Sequence, residues 1–253
     1  MEWTHNLSTP ILPGSIPQPT MMGAIQNGLH VLRGHIVPLL VLESLVTMIS
    51  GMCGSLAMLI DGDGPYLTIA LTALIASPFE LGASFVYLRT VRSGSINFEH
   101  LLAVLGRYGS IVLASALIMA IGSGATAMMI VPGMLFYCTT RFVPFLLLED
   151  ELGGAQAIVE SIKLSRSCFW QLLGICSLGL VGLFVVALLA RYIGIASTIG
   201  IVPIFVWWDL SIASLYHAIV RPPSGWALED LEERERIASN EGKEDDVEVE
   251  VTP

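Results

Sequence analysis

Apolar runs of about twenty residues recur along nearly the whole of this 253-residue chain, and each, as a helix, is long enough to cross a hydrocarbon core of about 30 Å. A helix packed on a soluble core keeps one polar face, and these runs mostly have none. Inside a bilayer every backbone polar group must find its partner within the protein, so a run of this length crosses as a helix. The expected fold is all-α: a polytopic membrane bundle of about six transmembrane helices. Composition agrees, because 54% of the residues are hydrophobic and 13% charged, about half the charged share of a soluble domain.

The net charge of −10 is mostly local. Most of the excess acid lies between Glu229 and Glu250, in a stretch poor in apolar residues, and the rest of the chain is close to neutral. Three regions follow: a Pro-, Ser- and Thr-rich cytoplasmic arm over 1–19, a membrane domain over 20–221, and an acidic, largely disordered cytoplasmic tail over 222–253. A neutral body leaves no electrostatic footprint for nucleic acid. The first twenty residues show neither the basic start nor the apolar run of a signal peptide, so insertion is expected to use the first span.

The spans are predicted at about 36–60, 66–88, 107–126, 128–148, 169–190 and 195–219. Over 20–33, Met21, Ile25, Leu29 and Leu32 alternate at helical spacing with Gln26, Asn27, His30 and Arg33, which predicts an amphipathic helix lying at the membrane surface. A second such piece is expected over 96–106. A third is expected over 154–167, with Ala155, Ile158 and Ile162 opposite Glu160, Lys163 and Arg166. With the N-terminus inside, Arg33, Arg89, Arg92, Lys163, Arg166, Arg221 and the basic residues of the tail all fall on the cytoplasmic side, and Arg107 borders it. Only Arg191 falls in an external turn, as the positive-inside rule requires. Both ends are therefore expected in the cytoplasm.

The layout reads as three hairpins, each preceded by a cytoplasmic amphipathic helix. A shift of 133 residues sets Ala24 on Ala157, Ile25 on Ile158, Leu29 on Ile162 and Arg33 on Arg166. Each returning span carries a proline in its outer part (Pro78, Pro132 and Pro203), where a kink and a freed backbone carbonyl are expected.

Charges within spans are the candidates for function, since each costs about 2.5–3.5 kcal/mol or more at mid-membrane unless paired or hydrated. There are four: Glu43, Glu80, Arg141 and Asp209. Glu43 and Arg141 sit about seven residues from the cytoplasmic ends of their spans, roughly 10 Å deep, with Glu80 and Asp209 nearer the middle. One reading makes Arg141 a structural clamp on Glu43 or Glu80. The other starts from three carboxylates against one guanidinium and makes Asp209, just after Trp207-Trp208, a group that responds to protons or ions.

The histidines His30, His35, His100 and His217 read as interfacial hydrogen-bonding groups. The four cysteines, Cys53, Cys138, Cys168 and Cys176, read as small buried apolar residues. Gly51, Gly54, Gly122 and Gly124 read as points of close helix packing. No metal-ligand spacing, nucleophile elbow, phosphate loop or dinucleotide fingerprint is present, so neither cofactor nor metal is expected and no catalytic residue is assigned.

From Pro132 onward the chain reads Pro-Gly, Arg141, Val143-Pro144-Phe145-Leu146-Leu147-Leu148-Glu149, Gly153-Gly154, Ala157, Ser161, Leu164 and Phe169-Trp170. This order resembles the membrane domain attached to some bacterial glycerophosphodiester phosphodiesterases and related uncharacterised membrane families. The stretch from Pro203 to Tyr216 is similar too, and the resemblance covers about 20–220. It implies a six-helix module in a bacterial cytoplasmic (inner) membrane. It does not bring phosphodiesterase activity, because the His-Arg-Gly start of the catalytic barrel is missing; His30-Val31-Leu32-Arg33-Gly34 has the wrong spacing. The functional expectation is a non-enzymatic module acting as scaffold, accessory or regulatory subunit of a membrane complex. Its partners are then the lipid bilayer and a protein partner or a second copy in the membrane. The alternative is a small carrier or channel for an ion, proton or lipid, resting on Glu43, Glu80 and Asp209 and on the proline-bearing return spans.

Overall fold

The structure, a computed structural model, describes residues 17–61, 65–150, 152–193 and 198–220, and all regular structure among them is helical. The expected arm before residue 17, the 62–64 turn, Arg221 and the acidic tail lie outside the described residues, as does the side chain of Arg191. Among the described residues six stretches are long and apolar enough to cross a membrane: Ile36–Ile60, Leu67–Ser93, Glu99–Met128, Ile130–Glu149, Phe169–Leu188 and Ile201–Ile219. The chain is a multi-pass, all-α membrane protein, and its spans follow one another as three hairpins.

The first hairpin comprises α1 (Met21–Gly34), α2 (Ile36–Asp61), α3 (Pro65–Leu71), a π-helical turn (Thr72–Ala76) and α4 (Ser77–Ser93). The second comprises α5 (Glu99–Leu102), a 3-10 turn (Ala103–Arg107), α6 (Tyr108–Met128), α7 (Ile130–Thr139) and α8 (Val143–Glu149). The third comprises α9 (Gly154–Ser167), α10 (Phe169–Ile193) and α11 (Thr198–Ile219). The second span runs past its expected end at 88 to Ser93. Gly94 stops it in the left-handed region at φ 74°, its N–H bonded to the Thr90 carbonyl at 2.9 Å, a conformation that favours glycine.

The three hairpins start with the same joint. One residue breaks the helix before each first span: His35 (φ −133°, ψ 36°), Arg107 (φ −127°, ψ 23°) and Cys168 (φ −126°, ψ 28°). The 133-residue shift seen in the sequence carries Met21 to Gly154, Gly34 to Ser167 and Ile36 to Phe169, the starts and ends of the corresponding helices. The repeat is thus one of backbone geometry as well as of topology.

Burial separates the spans into two rings. The first spans of the hairpins bury 28, 22 and 28% of their most apolar stretch, whereas the returning spans bury 44, 44 and 56%. On α2 the exposed face is mostly apolar (Val37, Val41, Leu45, Met48, Met52), with the small hydroxyl side chains of Ser44, Thr47 and Ser55 among it, as suits contact with lipid. The returning spans form the core, through Phe85, Tyr87 and Leu88 from α4, Phe145 and Leu147 from α8, and Leu210, Leu215 and Tyr216 from α11.

Each leading helix packs on the returning span of the hairpin before it: α5 on α4 and α9 on α8. For α1 that neighbour is α11, at the other end of the chain, and this contact closes the ring. The residues that α1 buries most fully are not the apolar ones of its periodicity. The buried stripe of α1 is Ala24, Asn27, Gly28 and Val31, while Met22 (60%) and Leu29 (37%) are exposed. Small and polar residues decide the contact because lipid supplies no hydrophobic drive between helices. Asn27 Nδ2 donates to Ser214 Oγ at 3.0 Å, and a Cβ at Gly28 would stand 2.8 Å from Ser211 Oγ. Likewise α9 buries Gly154, Ala157, Ile158, Ser161 and Ser165, and exposes Ala155. Of the four glycines expected at close packing, only Gly122 meets a neighbour, the Tyr137 ring; Gly51, Gly54 and Gly124 face open space.

Candidate functional site

The site depends on two proline breaks. Pro78 has no N–H to offer the carbonyl four residues back, and the Tyr108 hydroxyl donates to that carbonyl, Leu74 O, at 2.7 Å. In the fourth span the break comes at Pro144, not at the expected Pro132, which sits harmlessly in the first turn of α7. Ahead of Pro144 the chain tightens: Arg141 N–H bonds Cys138 O, and Val143 N–H bonds Thr140 O at 3.1 Å. The Thr139 carbonyl thereby loses its helical donor, and the Ser161 and Ser165 hydroxyls donate to it at 2.7 and 2.9 Å. Arg141 stands at the centre of this turn.

From there it reaches Asp209 rather than Glu43 or Glu80. Arg141 Nη1 lies 3.8 Å from Asp209 Oδ1, and the guanidinium stacks 4.4 Å above the Trp208 ring. Trp208 is in turn seated against Gly179, where a Cβ would come within 2.6 Å of the indole. Glu80 accepts from the Ser50 hydroxyl at 2.7 Å, and Glu43, buried, accepts from Tyr87 at 2.7 Å. Glu43 stays within electrostatic reach of Asp209 and Glu80.

Glu80, Arg141 and Asp209 line one cavity of about 240 Å³, with Ser77, Ser84, Ser115, Tyr137 and Thr140 among its other walls. Each returning span contributes one charged side chain. With all three ionised the lining carries one negative charge in excess, and its hydroxyls can replace lost water around a bound cation. Glu43 lies outside this lining. A second, more apolar cavity of about 380 Å³ adjoins it and shares Arg141 and Tyr137. Among the described residues no three His, Cys, Asp or Glu side chains converge to hold a metal.

A second charged layer was not anticipated. Arg92 and Glu149, at the ends of their spans, form an ion pair with side chains only 2% and 1% exposed. Arg92 Nε also donates to His217 Nδ1 at 3.3 Å, and its guanidinium lies 6.0 Å from the centre of the Tyr216 ring. Arg89 is buried as well. These residues are structural ties between returning spans rather than solvated anchors. His217 is buried in this layer, and the His35 ring bonds a backbone carbonyl, Gly94 O, at 2.8 Å. The available signal was that Arg92, Glu149 and His217 terminate the three returning spans, one each. No family model, curated protein or solved structure matches the chain.

Proposed function

We propose that this chain is a non-enzymatic membrane carrier that holds a small cation or cation-bearing solute in the cavity between its three returning spans. The observation behind this is that all three spans place a charged side chain on one cavity of about 240 Å³. Two carboxylates facing one cavity within the spans are costly in hydrocarbon unless paired or hydrated, and a bound cation offsets that cost. We further propose a cytoplasmic membrane with both ends inside; Arg33, Lys163 and Arg166, exposed on the leading helices, support that orientation.

The scaffold reading keeps one observation in its favour: Val159 on α9 and Trp170 at the head of α10 are 51% and 78% exposed, available to a partner. Against it, the leading helices spend their buried stripes inside the bundle instead of presenting them for docking. The similarity to phosphodiesterase membrane domains fits either reading, as a module separate from any catalytic barrel.

The test is flux of a small ammonium ion into liposomes holding the purified chain. The wild type should conduct saturably, and Glu80→Gln and Asp209→Asn should each cut the rate several-fold. Absent flux, or flux untouched by both substitutions, would overturn the carrier, and a stoichiometric protein partner recovered from native membrane would then favour the scaffold.

A further inference from the structure

We infer that the ligand of this site is an amphiphile: an ammonium head group in the polar cavity with its apolar chain in the adjoining one. The inference rests on reading the central cavity as a ligand site, and adds the chemical class. Two observations carry it. First, the cavities differ in character and meet at shared walls. The larger is bounded by Ile130, Met134, Leu180 and the Trp208 ring, with Cys138 and Cys176 as its small polarizable groups. Arg141 and Tyr137 stand between it and the polar cavity. Second, the rim of the apolar cavity faces outward, with Ile130 77% and Leu180 39% exposed on surfaces that meet lipid. A chain can therefore enter sideways from the bilayer.

Charge decides the head group. Arg141 already has Asp209 beside it and Trp208 beneath it. Glu80 has the Ser50 hydroxyl but no cation within ion-pair distance among the described residues. An incoming ammonium meets that carboxylate and cancels the excess negative charge of the lining. An anionic head group would have to displace Asp209 from Arg141 and leave two uncompensated carboxylates in low dielectric, which is unfavourable.

The probe is a dodecyl trimethylammonium with bromine at the chain end, titrated into the full-length protein in neutral maltoside micelles while indole fluorescence is followed. Bromine quenches on contact, so saturable quenching is expected that disappears in Trp208→Phe and persists in Trp207→Phe, whose indole is off both cavities. Glu80→Gln should raise the half-quenching concentration at least about tenfold, the loss of one close charge partner. Tetramethylammonium, lacking the chain, should compete only weakly. Equal quenching by the matching dodecyl sulfate, or an unchanged titration in Glu80→Gln, would overturn the inference. Flux of a small ammonium ion without chain quenching would also overturn it while leaving the carrier standing. Saturable, Glu80-dependent quenching without flux supports the site and removes the carrier.

Discussion

At the scale of single residues, the strongest consequence concerns Arg92 and Glu149. Both side chains are fully enclosed, so removing one leaves the other as an uncompensated buried charge, which costs about 3–5 kcal/mol. Arg92→Met or Glu149→Met alone should lower the thermal unfolding midpoint sharply, while the double Met variant, which buries no charge, should recover most of the loss. Single variants within about 0.5 kcal/mol of wild type would contradict the enclosure. This pair also shows where sequence reasoning stops. Basic and acidic residues at span ends normally sit in water, and nothing local distinguishes Arg92 from Arg33, which is exposed. The four intramembrane charges were legible because each interrupts an apolar run, but their pairing was not, since it depends on the turn ahead of Pro144. Arg141 faces Asp209, Glu149 pairs with Arg92, and the Ser161 hydroxyl caps the Thr139 carbonyl.

At the scale of elements, the proline-broken spans persist because neighbouring helices supply the missing hydrogen bonds. Tyr108→Phe should cost about 1–2 kcal/mol, the loss of one donor to a carbonyl in lipid-facing surroundings. In a Pro78→Ala background the backbone again has an N–H at that position, and the same substitution should cost less than half as much. A double-mutant cycle of thermal stabilities measures the difference, and equal costs in both backgrounds would show that Tyr108 does not answer the proline. The spans themselves were plain in the sequence, since their length and apolarity are dictated by the bilayer. The face each leading helix buries was not. Periodicity ranks residues by hydrophobicity, whereas these contacts select small and hydroxyl side chains: Ala24, Gly28, Ala157, Ser161.

For the molecule as a whole, three hairpins with matching joints form a ring closed by α1 against α11. In a background without the four native cysteines, Asn27→Cys with Ser214→Cys should cross-link within a single chain on mild oxidation, visible as a mobility shift reversed by reductant. A cross-link found only between chains, or none, would contradict the closure. The Asn27–Ser214 bond joins residues 187 positions apart, which gives folding an order in time. When α1 leaves the ribosome its partner has not yet been made, and five more spans must be inserted before α11 exists. Until then the Met21, Ile25, Leu29 and Leu32 side of α1 suits it to wait at the membrane surface, as its periodicity suggested. A helix made before all six spans is thus the last to reach its place, and any chain interrupted before α11 leaves the ring open.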